Sequence, residues 1–151
     1  MRILFATDLR EPSSITAQVQ ELTNNLNSDL YVLHVHVPTP TAPLAVDPMS
    51  GFGEMAYALY DPSIERSIVE AERHEFDRFV NDRFARPVRP ALLTGDPARV
   101  ILDNADELKV DMIIMAKRRH SAIQRMLLGS VTNVVARESS HAVLLLPIGE
   151  E

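Results

Sequence analysis

Apolar positions recur along the chain with two different periods. Arg2–Thr7 is a short apolar run ending at Asp8, which predicts a buried strand. Behind it Ile15, Val19, Leu22 and Leu26 follow at spacings of four, three and four. That is one face of a helix, with Ser13 or Ser14 as its N-cap. Leu30–Val37, rich in β-branched and apolar side chains, predicts a second strand. Asp61-Pro62 supplies a cap and a first-turn proline for a long charged helix from Ser63 to about Phe84. Its apolar stripe is Val69, Phe76, Val80 and Phe84. Val88–Thr94 predicts a third strand, and Pro90 inside it lacks an amide donor, which places that strand at a sheet edge. Gly95-Asp96-Pro97 repeats the cap-and-proline opening for a helix reaching about Leu108, with Ile101, Ala105 and Leu108 inward. Met112–Ala116 is uninterrupted and apolar, as a central parallel strand should be. Gly129-Ser130 leads into a helix carrying Val131, Val134 and Val135, and Ala142–Leu146 is the last strand, closed by Pro147.

Strand and helix alternate from end to end. The pattern predicts an α/β fold, a doubly wound parallel sheet with helices on both faces, in a single domain over residues 1–151. One stretch breaks the rhythm. Between residues 38 and 62 lie Pro38, Pro40, Pro43, Pro48 and Pro62, with Gly51 and Gly53 among them. Missing donors and turn-forming glycines exclude regular structure there. Its length predicts a lid, a partner-binding loop or a mobile segment, in which Met49 and Met55 either meet a partner or simply fill gaps.

Composition narrows the class. Apolar residues are 46% and charged residues 24%, an ordinary globular balance. The formal charge of −6 excludes nonspecific coating of nucleic acid. Cysteine is absent, which excludes disulfides, thiolate catalysis and cysteine-ligated metals. No apolar run approaches the roughly 18 residues of a membrane span, and the amino-terminal run turns polar too early for a signal peptide. The expectation is a cytoplasmic protein with no membrane partner.

Doubly wound sheets bind ligands beyond the carboxyl ends of their strands, where strand order reverses. If strands one and four flank the reversal, Asp8 faces the loop after Ala116, and Gly129-Ser130-Val131-Thr132 presents a helix amino terminus to the same crevice. Free amides and the helix dipole there suit a phosphate. Each feature also has a plainer reading. Asp8 either accepts from ribose hydroxyls or caps a turn. Gly129-Ser130 is either a phosphate contact or an ordinary helix start. Lys117, Arg118 and Arg119 are either solvated surface or phosphate ligands. His34 and His36 share one strand face but have no third ligand in sight, so no metal site is assigned and packing or hydrogen bonding is expected. Asp96 reads as an N-cap rather than a catalytic acid. No nucleophile is paired with a base, so no catalytic residue is assigned; weak nucleotide hydrolysis is kept as an alternative activity.

Taken together, several segments resemble the universal stress protein family across the whole chain. They are Phe5-Ala6-Thr7-Asp8, Leu33-His34-Val35, Gly95-Asp96-Pro97, Asp111–Met115, Leu127-Leu128-Gly129-Ser130-Val131-Thr132 and Val143–Pro147. The resemblance implies a five-stranded sheet in the order 3-2-1-4-5, of the adenine nucleotide alpha hydrolase-like type. It also implies ATP or AMP as ligand, with Mg²⁺ accompanying ATP. Adenine and ribose would meet Ala6, Asp8, Val35 and Met115, with Thr7 beside them. Phosphates would meet Gly129, Ser130, Val131 and Thr132. ATP-binding members carry G-x-x-G-x9-G-[ST]. Here Gly129-Ser130 keeps the last part, whereas Ala116 and Arg119 stand in for the two early glycines. Arg119 either obstructs a triphosphate or pairs with it, and it favours a shorter phosphate chain. A dimeric stress adaptor that binds no ATP is the alternative. The resemblance further implies a homodimer paired through Ala142–Leu146.

Overall fold

The computed structural model describes residues 1–38, 62–118 and 129–149 of the chain. The elements run β1 (Arg2–Thr7), α1 (Ser13–Asn25), β2 (Asp29–His36), α2 (Pro62–Arg83), β3 (Arg89–Thr94), α3 (Pro97–Leu108), β4 (Met112–Arg118), α4 (Ser130–Glu138) and β5 (Ala142–Ile148). The five strands form one sheet in the order β3-β2-β1-β4-β5, every neighbouring pair parallel. Pro90, opposite Val32, sits on the edge strand where its missing donor does least harm. The proline-rich loop expected over 38–62, including Met49 and Met55, lies outside the described residues except for its two ends.

Side chains alternate across the strands and both faces are buried, as a parallel sheet requires. Ile3, Phe5, Val32 and Ile114 pack with Ile15 and Val19 of α1 and with Phe76 and Phe79 of α2. On the other face Leu4, Leu33, Ile113 and Met115 pack with Ala98, Ile101 and Ala105 of α3 and with Val135 of α4. The helices are therefore two to a face.

Several boundaries differ from the sequence reading. Pro12, rather than Ser13 or Ser14, is the N-cap of α1, with no side-chain cap. Proline has no amide to satisfy, and its carbonyl takes the Ile15 amide at 3.0 Å. Leu26 is the C-cap, 40% exposed, rather than part of the buried stripe. In α2 the buried pair is Phe76 and Phe79, with Val80 half-buried; Phe79 also meets Phe84 edge-on at 6.1 Å. β2 begins at Asp29 and ends at His36, leaving Val37 exposed. β4 and β5 each run two residues further than expected, because Lys117 pairs with Pro147 and Arg118 with Ile148. Pro147 is tolerated inside β5 because β5 is the other sheet edge. Asp96 caps α3 as expected, its Oδ1 accepting from the Arg99 amide at 3.0 Å.

Candidate functional site

Strand order reverses between β1 and β4, the two strands that pair in the middle of the sheet. A cavity of about 300 Å³ opens there, at the carboxyl ends of the strands. β1 contributes Ala6 and Thr7, followed by Asp8; β2 contributes Leu33, His34 and Val35. Met115 and Ala116 come from β4, Pro97 and Ile101 from α3, and Val131 and Thr132 from the first turn of α4. Its walls are mostly apolar, with Asp8, Thr7, His34, Thr132 and Glu11 as the polar groups.

Eight of the residues expected at a nucleotide site line this cavity: Ala6, Thr7, Asp8, Val35, Met115, Ala116, Val131 and Thr132. Gly129 and Ser130 are exposed at the amino end of α4 and are not part of its lining. Gly129 is the N-cap and its carbonyl takes the Asn133 amide at 2.8 Å. A Cβ there would meet Thr132 Oγ1 at 3.9 Å, an ordinary contact, and its φ of −51° suits any residue. Arg119 lies outside the described residues. Lys117 stands half-buried at the end of β4, in the strand rather than in a basic loop.

Glu11 is a polar member of the lining that the sequence reading did not single out. It is 4% exposed. Its Oε2 accepts from Thr7 Oγ1 at 2.6 Å and its Oε1 accepts from the Asp8 amide at 3.0 Å. Burial pushes its carboxyl above the usual value; the bonds from Thr7 and the Asp8 amide oppose that, and the Asp8 charge reinforces it. Thr7 Oγ1 in turn accepts from the Leu9 amide at 2.9 Å, and Asp8 Oδ1 accepts from the Arg10 amide at 2.9 Å. Leu9 itself has φ of +66°. No sequence pattern marks Glu11 apart from its position three residues beyond Asp8 on the same turn.

His34 and His36 are both buried and face α2, where Glu72 lies between them. His34 meets the Thr7 carbonyl through Nδ1 at 2.9 Å and Glu72 Oε1 through Nε2 at 2.6 Å. His36 meets Glu72 Oε2 through Nδ1 and Glu65 Oε1 through Nε2, the latter at 2.9 Å. All four ring nitrogens thus face groups that accept. The hydrogen bond to Glu65, against the opposing effect of burial and with help from Glu72, holds the His36 ring above its ordinary value of 6.5. Among the described residues, no group of three or more histidine, aspartate or glutamate side chains is arranged to hold a metal ion. No helix among them is long and apolar enough to cross a membrane.

Comparison with known proteins places this geometry in context. The model of the Universal stress protein family matches residues 1–147. The stress response protein NhaX of Bacillus subtilis (strain 168) is 31% identical over 55 residues, 36% of this chain and 33% of that protein. The chain thus spans about a third of that relative's length. Among solved structures, the hypothetical protein MJ0577 superposes with a TM-score of 0.70 at 21% identity, covering 99% of this chain and 97% of the other. A universal stress protein in complex with cAMP gives 0.60 at 21% identity, over 99% and 98%. The universal stress protein UspA from Lactobacillus plantarum gives 0.61 at 16% identity, over 97% of each. At these identities the superpositions establish the fold.

Proposed function

The chain belongs to the universal stress protein family, and from that premise we propose that it is a stress-response adaptor that binds an adenine nucleotide in the cavity between β1 and β4. The observation that carries the reading is that Asp8 and the first turn of α4 line one cavity at the strand-order reversal. The base lies against the apolar walls, among Ala6, Val35 and Met115. The ribose diol donates to Asp8, with Thr7 behind it. The phosphate points to Thr132 and Val131 and toward Gly129 and Ser130, where the α4 amides and dipole favour an anion.

The residues fit such a ligand. Neither the φ of Gly129 nor the packing around it among the described residues calls for glycine, whereas close approach of a phosphate to the backbone does. A volume of about 300 Å³ lies at the low end of the range for small-molecule pockets, roughly 300–1,000 Å³. Arg119 in place of a glycine favours a shorter phosphate chain. The bound cyclic nucleotide of one structural relative is in keeping with this class of ligand.

Binding converts the β1–β4 crevice into a filled core and so changes the surface offered to a protein partner. Denaturing freshly purified protein and identifying released nucleotide by mass spectrometry tests the reading, together with calorimetric titration by AMP, ADP and ATP. Recovery of a nucleotide, or millimolar or tighter binding, supports it. No heat from folded protein at millimolar ligand defeats it. A second reading, an adaptor without a nucleotide, draws on Ala116 in the cavity wall where ATP-binding members have glycine. Under it Ala116→Gly with Arg119→Gly creates binding that the natural chain lacks.

A further inference from the structure

We propose that Glu11 is a positioning residue of this cavity, one that sets the direction in which Asp8 presents its carboxylate to a ribose diol. The proposal rests on the nucleotide reading above and adds a residue to it. Its basis is the pair of hydrogen bonds that close the β1–α1 turn. Glu11 Oε1 takes the amide of Asp8 itself, and Glu11 Oε2 takes the hydroxyl of Thr7, the residue before it. Thr7 Oγ1 passes the constraint on to the Leu9 amide. One buried carboxylate therefore holds the residues on either side of Asp8 as well as its own backbone.

The turn needs such a hold. Leu9 lies in the left-handed region at φ of +66°, a conformation disfavoured for any residue with a Cβ. Without the Glu11 clasp the turn relaxes toward ordinary backbone angles, and the peptide planes flanking Asp8 rotate with it. A buried carboxylate is also an expensive choice for mere filling. Glu11 is 4% exposed, and burial raises its carboxyl above the usual value, so an apolar side chain would pack more cheaply. What an apolar residue lacks is two acceptors aimed at Thr7 and Asp8.

The experiment compares AMP with 2′,3′-dideoxy-AMP, which lacks the diol, by calorimetry on the full chain. Each hydrogen bond from the diol to a charged carboxylate is worth about tenfold or more in affinity, so the natural protein should prefer AMP by at least that factor. Asp8→Ala should erase that preference. Glu11→Gln keeps the side-chain volume but can no longer accept at both ends; it should reduce the preference to about twofold, and in the Asp8→Ala background it should change the ratio no further. Thr7→Val, which removes the second bond, should act in the same direction and serves if Glu11→Gln does not fold. The ratio, unlike the melting temperature, is blind to a purely structural role. A Glu11→Gln protein that melts lower yet keeps the natural ratio overturns the positioning role. So does a natural protein that binds the two ligands equally. A natural protein that binds neither AMP nor ATP overturns the nucleotide reading itself, and the positioning role with it.

Discussion

Glu72 joins the long helix α2 to the carboxyl end of β2, and its loss should be felt well beyond its own side chain. Its two oxygens serve two different buried histidines, Oε1 for His34 and Oε2 for His36. Glu72→Ala leaves a nitrogen on each ring without its acceptor. A buried polar group left unsatisfied costs about 1–3 kcal/mol, which puts the pair at about 2–6 kcal/mol. The Glu72 side chain is 23% exposed, so water reaches part of the gap and the lower half of that range applies. For a chain of this length each kcal/mol lowers the melting temperature by about 2–4 °C, so a fall on the order of 10 °C is expected. The dependence on pH identifies the cause. Because His36 is held above its ordinary 6.5, its contribution is full below that pH and fades as pH rises through the raised value. Glu72 has the opposite sense. Burial pushes its carboxyl up, but the bonds from His36 and His34 outweigh burial and hold it below the ordinary 4.5. Its contribution is therefore full above 4.5 and fades as pH falls through the lowered value. Thermal melts of the natural protein and of Glu72→Gln, followed by circular dichroism across the acid and alkaline range, should show the widest gap between pH 4.5 and 6.5. A gap that stays constant with pH, or a Glu72→Ala protein that melts with the natural one, would refute the account.

Three further outcomes follow from local features. Asp96→Ala removes the side-chain cap of α3 and should destabilise the fold by about 1 kcal/mol, measurable by urea denaturation with an unchanged slope. Gly95 has φ of +148°, and a Cβ there would stand 3.0 Å from Val100 Cγ2. Gly95→Ala should cost about 1–3 kcal/mol in the same assay, and a neutral effect would show that the turn can rearrange. β5 is an edge strand with half-buried Val143–Leu146, and we expect it to pair with its copy in a homodimer. Sedimentation equilibrium should return twice the chain mass, and a monomer mass independent of concentration would end that expectation.

The architecture was legible because parallel strands are buried on both faces and so appear as unbroken apolar runs such as Met112–Ala116. Pro90 declared its own strand an edge. Pro147 was misread as a terminator because sequence alone does not reveal that β5 is the opposite edge, where a proline is harmless. The stripe on α2 is off by a residue because the helix buries its apolar side chains only toward its carboxyl end, at Phe76 and Phe79. Its earlier turns carry Glu65 and Glu72, which read as ordinary solvated charges. Their partners, His34 and His36, lie 29 to 38 residues earlier, and only the packing of α2 on β2 brings them together. Glu11 was hidden for the opposite reason. It sits three residues beyond Asp8, where an acidic residue before a helix looks like generic solvent-facing charge, and its burial under the turn is a tertiary fact.

The central place of β1 has a consequence for how the protein is born. One side of β1 pairs with β2, soon after it in the chain, but its other side waits for β4, where Ile3 meets Met112. In a nascent chain that has cleared the ribosome only through β3, any sheet formed would carry β1 as an extra open edge beside the native edge β3. On that sheet Leu4 and Leu33 have no helix above them, since α3 and α4 have yet to emerge. A partial sheet of that kind would be a target for chaperones and proteases. Lesions in the β4–β5 half should therefore appear in the cell as lost protein.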